Sequence, residues 1–343
     1  MDTLMRADKP ARTTTVGVLA FLRSRGIIVL WIVMLIVFAA TSPVFATPTN
    51  FALILGAAAV TSIFAASVAF GVMSGALDLS IPGTAAFAGV TVGLLLNAGV
   101  PPVIAIAIGL AVGVGIGAVN GLIVLRGLNP LVVTIGMLAV LGGLASVLSK
   151  GIPVTGLTSL RFIGTDRYLG VPAPVYVVVI LYVIGTLFLT RMRSGVRMLA
   201  VGGNAEAVRR SGVRSDRYRV LGFVLGGVCA ALGGIVTAAI VTQASPAASP
   251  GILFEALTAV ALSGLALTGG RGSLPLVLVG ALVIATINSY LVIQNVQPYW
   301  TDVITGALLI GALALDKYTG GLVSSRLIAD ASSLAGRGRA QGK

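Results

Sequence analysis

Stretches of about 20 apolar residues, bounded by Pro, Gly, Asn or a charged residue, recur from Ile27 to Leu315, and that length is what an α-helix needs to cross roughly 30 Å of hydrocarbon. A chain patterned this way is read in helices rather than in soluble domains. Inside a bilayer the backbone N–H and C=O groups have no water partner, so a spanning segment must satisfy them internally. The runs fall near 26–45, 51–72, 82–97, 101–125, 130–149, 173–190, 219–242, 252–268, 274–293 and 300–316. They predict an all-α polytopic membrane protein with about ten transmembrane helices. The third run is short and the eighth is interrupted by glycine, as in half-helices and re-entrant segments.

Residue usage agrees, with 57% hydrophobic and 10% charged residues against about 25% charged in ordinary soluble domains. The net charge of +13 raises the question of nucleic acid, but no basic stretch is interleaved with aromatics, so no such partner is expected. No His and a single Cys, Cys229, inside an apolar run exclude a His/Cys metal site, a His-based catalytic relay and an internal disulfide framework. Cys229 reads as a small packing residue. Met1 to Arg25, the following apolar run and Val44-Phe45-Ala46 resemble a secretory signal with a cleavage site. That run is long for a signal and Thr41-Ser42-Pro43 sits badly before a cut, so it is read as the first spanning helix.

Ten spans place both termini on one side, and cytoplasmic loops collect Lys and Arg. Of the 23 basic residues, only Lys150, Arg161 and Arg167 then fall opposite the termini. The expected organisation is a cytoplasmic N-terminal tail over 1–25, a transmembrane domain over 26–316 and a cytoplasmic C-terminal tail over 317–343. A cytoplasmic loop over 191–218 interrupts the domain. A weak repeat supports two inverted five-helix halves: Asn120 and Asn288 share the same offset as Pro130 and Pro298, and in this topology the segments run in opposite directions. Chance matching among Gly, Ala, Val and Leu is the competing reading. Small residues every four positions, Gly109, Gly113, Gly117 and Gly121, then Gly222, Gly226, Ala230 and Gly234, predict flat faces where helices approach closely.

The most informative polar stretch is Arg191 to Arg219. Within it Asn204 to Arg210 reads as a short helix, with Asn204 as N-cap, Glu206 in the first turn, Arg209 and Arg210 in the last, and Ser211-Gly212 as the stop. It suits docking into a groove on a partner protein. A polybasic loop held at anionic lipid headgroups is the alternative on charge alone.

The segment GGNAEAVRRSGV, Gly202 to Val213, resembles the cytoplasmic coupling motif of permeases from the ribose-type family of sugar ABC importers. Three other segments carry the same resemblance. GALDLSIPG at Gly75 to Gly83 is similar to the family's Gly-Ile-Asp-Leu-Ser signature. LSGLALTGGRGSLPLVLVGALVIATINSYL at Leu262 to Leu291 resembles its Gly-Gly-Lys/Arg-Gly-Ser segment and the helix that follows. LGVPAPVYV at Leu169 to Val177 matches the entry to the sixth span. The likeness covers roughly Ser42 to Asp316. Ala76 and Pro82 depart from the family pattern, and Ser289 stands where the family has the second Asn of a pair.

The resemblance implies the transmembrane permease subunit of an ATP-binding-cassette importer for a monosaccharide such as a ribose-like pentose or a hexose, in a bacterial inner membrane. It implies a separate ATP-binding subunit, an extracytoplasmic sugar-binding protein, a second permease subunit in a homodimer, and surrounding membrane lipid. Coupling to the ATPase falls on Gly203, Asn204, Glu206, Ala207, Arg209, Ser211 and Gly212. The chain carries no GxxxxGK[ST] phosphate loop, so it is expected to be a transport subunit rather than an enzyme, with no cofactor.

For the translocation path the candidates are Asn288, Asn120, Asp78 and Glu255. An amide both donates to and accepts from sugar hydroxyls, although a buried Asn also serves as an interhelical clasp. Asp78 reads equally as a cap, and Glu255 as a first-turn carboxylate complementing the helix dipole. Tyr299, Trp300 and Asp302 read as an interfacial anchor. Two other functions stay open: a permease for branched-chain amino acids, and an ion-coupled secondary transporter, which would need a buried ionisable relay.

Overall fold

Proline marks where most helices begin. It occupies the first or second position of α2 (Pro48–Met73), α3 (Ile81–Asn97), α4 (Pro102–Leu125), α5 (Pro130–Ser149), α7 (Ala173–Arg191), α10 (Pro250–Leu262) and α11 (Leu274–Ile293). Its missing N–H costs nothing there, because the first-turn donors have no intrahelical acceptor. The Asn129 side chain accepts from the Leu131 N–H at 2.9 Å and so caps α5.

The computed structural model describes residues 13–266, 269–270, 272–297 and 299–314, with side chains from Gly26 onward. The remaining described helices are α1 (Thr13–Thr41), the single turn α6 (Arg161–Gly164), α8 (Arg193–Arg210), α9 (Ser215–Val241) and α12 (Tyr299–Ala314). The helix α1 begins well ahead of the span expected from position 26, inside the segment read as a tail. The expected C-terminal tail, 317–343, lies outside the described residues.

Six helices, α2, α4, α5, α7, α9 and α11, are long and apolar enough to cross a membrane. The apolar stretch Gly26–Thr41 of α1 and the helices α3, α10 and α12 are shorter apolar elements. The chain is thus an all-α polytopic membrane protein among its described residues, with four two-residue strands. Strands β1 (Val154–Thr155) and β4 (Gln243–Ala244) pair antiparallel, Val154 opposite Ala244. Strands β2 (Arg167–Tyr168) and β3 (Val171–Pro172) form a hairpin.

Helices α2 and α9 are the most buried of the long helices, whereas α4 and α5 are the least buried. They meet along their length, and the Ser67 hydroxyl donates to the Gly226 carbonyl at 2.7 Å. The first small-residue face packs on α9: a β-carbon on Gly113 would sit 2.7 Å from the Ala231 β-carbon, and one on Gly121 3.0 Å from the Val220 Cα. The second face turns to other partners, Gly222 to Ser74 and Gly234 to Ala85. Without a hydrophobic drive between helices in lipid, such backbone proximity is what holds them together.

Gly117 gives a direct test. A β-carbon there would lie 2.7 Å from the Val224 Cα, a backbone atom, whereas Gly115 faces open space. Forcing an extra methyl group into a packed contact costs about 1–3 kcal/mol. Gly117→Ala is expected to lower the thermal unfolding midpoint of the detergent-purified protein by several degrees, and Gly115→Ala to leave it unchanged.

Candidate functional site

Three glycine-rich segments far apart in sequence meet at one end of the bundle. Gly202, on α8, lies against the end of α2, where a β-carbon would overlap the Met73 carbonyl oxygen. It also lies against the α10–α11 connection, where the same β-carbon would be 2.9 Å from the Gly270 nitrogen. Gly75 closes the third side, its own hypothetical β-carbon 3.3 Å from the Gly202 Cα. Gly75 adopts φ +82° and Gly270 φ +75°, which residues with a β-carbon rarely accept. The junction therefore requires glycine both for space and for backbone conformation.

The segment beyond the junction points outward. Helix α8 breaks at Asn204 (φ −159°, ψ 90°), and the Asn204 side-chain oxygen accepts from the Ala207 N–H at 2.9 Å, the geometry of an N-cap. The last turn closes with the Gly212 N–H donating to Arg209 O at 3.0 Å and the Val213 N–H to Val208 O at 3.3 Å, while Gly212 takes φ +80°. That paired arrangement is the Schellman motif. Glu206 receives hydrogen bonds from Arg209 and from Arg210 Nε, the latter at 3.1 Å. Gly203, Asn204, Glu206, Ala207, Arg209, Arg210, Ser211 and Gly212 are exposed. The sequence-predicted set thus forms one capped, solvent-facing turn, and the polar stretch read mainly as loop is largely helix.

A cavity of about 330 Å³ lies between α2, α3, α9 and α10, within the range of small-molecule sites. Phe64 of α2, Pro82 of α3 and Ala238 of α9 give it apolar walls. Gln243, Ser245 and Ser249, from the α9–α10 connection, give it an amide and two hydroxyls. Among the described residues lining it, none is charged.

The four predicted path residues form two separate clusters, and none of them lines this cavity. Asp78, in the α2–α3 connection, accepts from the Ser80 N–H at 2.8 Å and the Ser80 hydroxyl at 2.6 Å, and Asn120 Nδ2 donates to Ser80 Oγ at 2.9 Å. All three are buried. In the other cluster the Glu255 carboxylate accepts from the Thr61 hydroxyl at 3.3 Å and from Asn288 Nδ2 at 3.5 Å, joining α10, α2 and α11. Ser289 donates to Asn50 Oδ1 at 2.7 Å. Tyr299 and Trp300 open α12 exposed.

Residues 50–313 match the family described as the permease component of the branched-chain amino acid transport system. The chain belongs to this permease family. Its similar relatives include the ribose import permease protein of Bacillus subtilis, 31% identical over 83% of this chain and 90% of that protein. The D-allose transport system permease protein of Escherichia coli is 34% identical over 83% and 89%. The L-arabinose ABC transporter permease protein of Azospirillum brasilense is 31% identical over 91% and 92%. No solved structure matches the chain.

In this permease, sequence reasoning had missed the cavity-lining groups of the QASPAASPG segment, Gln243 to Gly251. The available signal was a short Ser- and Pro-rich polar stretch between two apolar runs, which reads like any connection. The glycine junction was visible only as three unrelated motifs.

Proposed function

We propose that the chain is the membrane-spanning permease subunit of an ATP-driven importer for a neutral monosaccharide, and that ATP hydrolysis occurs on a separate subunit. The observation that carries this reading is the exposed, capped turn from Asn204 to Arg210 rooted in the glycine junction. A force applied to that turn reaches the end of α2 and the α10–α11 connection directly. Helices α2 and α10 are two walls of the cavity, so the turn and the solute space are mechanically joined. ATP-driven closure of the partner would shift the equilibrium between outward- and inward-open states through this contact.

The architecture we propose is ten spans in two inverted five-helix halves with cytoplasmic termini in a bacterial inner membrane. A second copy would complete the pore, and an extracytoplasmic binding protein would deliver the sugar. The packing supports inversion: α4 packs on α9 as α11 packs on α2, and α3 on α9 as α10 on α2. The cavity lies where the halves meet, the position expected of a path in inverted repeats.

Three observations favour sugar over branched-chain amino acids, despite the family description. The relatives just named handle ribose, allose and arabinose by name. The cavity offers hydroxyl and amide groups that both donate and accept. Among the described residues it also presents no charge to the ammonium and carboxylate of an amino acid, whose uncompensated burial is costly. An ion-coupled carrier is less favoured, since the buried Asp78 and the half-buried Glu255 sit in separate hydrogen-bonded clusters instead of a relay.

Thermal shift of the cognate binding protein against a panel of pentoses, hexoses and amino acids tests the cargo. Stabilisation is expected from one or a few monosaccharides, and stabilisation by amino acids alone would overturn the assignment.

A further inference from the structure

Near the start of α7 the chain makes a hairpin from Arg167 to Pro172. Its two central residues, Leu169 and Gly170, have φ +51° and +80°, the tight turn in which both positions are left-handed. Asn, Asp or Gly normally leads such a turn, because a β-carbon disfavours that conformation. Here the position holds leucine, with 98% of its surface exposed.

The neighbouring residues indicate what covers it. On α7 the exposed apolar face runs through Val179, Ile180, Val183, Ile184 and Leu187, and Tyr176 begins the same face one turn nearer the hairpin. The Tyr176 hydroxyl donates to the Tyr168 carbonyl at 2.7 Å, and the two rings meet edge to face at 6.1 Å. Tyr168 and Leu169 therefore sit at the end of a surface that faces lipid if α7 spans the membrane. Arg167 is exposed and makes no ion pair among the described residues, while Arg161 pairs with Asp166 at 3.6 Å.

We infer that this hairpin is an interfacial anchor: Tyr168 and Leu169 enter the headgroup–acyl boundary of the outer leaflet beside α7, and Arg167 meets lipid phosphate. Tyrosine rings belong at that depth because one end is apolar and the other polar. An apolar tip with an adjacent cation binds an anionic interface by both hydrophobic burial and charge. The inference rests on the permease reading for the membrane and for the leaflet. Its consequence is that the outer end of α7 is held at a fixed depth while the inner end leads into α8.

Spin labels at single cysteines test it in nanodiscs containing anionic lipid, with the buried Cys229 replaced by alanine. Labels at Leu169→Cys, Val183→Cys and Arg210→Cys are compared for collision with oxygen, which partitions into lipid, and with a water-soluble nickel complex. The expected result is several-fold lower nickel collision at Leu169 than at Arg210, with Val183 deeper still. Nickel collision at Leu169 equal to that at Arg210, with Val183 in lipid, would overturn the anchor and leave the permease reading standing. Aqueous exposure at Val183 as well would overturn both. Nickel-accessible Leu169 labels that become immobile when the binding protein is added would replace the lipid with a protein partner.

Discussion

Gly202→Ala is expected to reduce ATP-driven sugar uptake about ten-fold or more, while Gly203→Ala, at a coupling residue with room for a methyl group, reduces it far less, given overpacking costs of about 1–3 kcal/mol. The substitutions are chemically identical and one residue apart. At Gly202 the added methyl group overlaps the Met73 carbonyl and crowds the Gly270 backbone, and neither can rotate away as a flexible side chain would. At Gly203 the nearest atom is the Gly270 Cα at 3.6 Å, an ordinary contact. The pair therefore separates junction geometry from mere loss of a glycine. Uptake by cells, normalised to the amount of chain in the membrane, checks it. Equal uptake by the two variants would show that movement is not passed through Gly202.

Glu206→Lys and Arg209→Glu are each expected to abolish most sugar-stimulated ATP hydrolysis and uptake while leaving the chain folded and in the membrane. The magnitudes make this informative. Glu206 contacts Arg209 and Arg210 three and four residues along an exposed turn, and such pairs stabilise a helix by only about 0.2–0.5 kcal/mol. The N-cap at Asn204 and the Schellman closure at Gly212 survive either change. A loss too large for that internal pair must come from a partner that reads the charges. Hydrolysis and uptake measured together in proteoliposomes check the prediction, with unchanged coupling counting against docking at this turn.

Much of the fold was legible because lipid imposes a length rule that ignores side-chain detail. Runs of apolar residues located the helices, and Pro102, Pro130 and Pro250 fell at or next to their starts. Polar segments were harder. Arg193 to Gly203 is rich in Arg and Gly and reads as loop, yet it forms the first part of α8 because Gly195, Met198 and Val201 are buried. That burial depends on contacts distant in sequence. The cap at Asn204 was readable, since a cap is a local interaction. The meeting of Gly75, Gly202 and Gly270 was not, because glycine at a close approach and glycine in a solvated turn look alike until the partner segment is placed. The cavity was hidden for a related reason: in a helix rich in Ala and Gly, a small residue facing a neighbour and one facing open space have the same sequence signature.

Under the proposed function, the turn around Asn204–Arg210 is gripped by a separate ATP-hydrolysing subunit. The most direct measurement places a cysteine at the exposed Ala207 and cross-links membranes that contain the full importer. A product joining this chain to the ATP-binding subunit, with a yield that changes when ATP is added, is the predicted result. Absence of any such product, together with sugar uptake by the purified chain alone under an ion gradient, would contradict it.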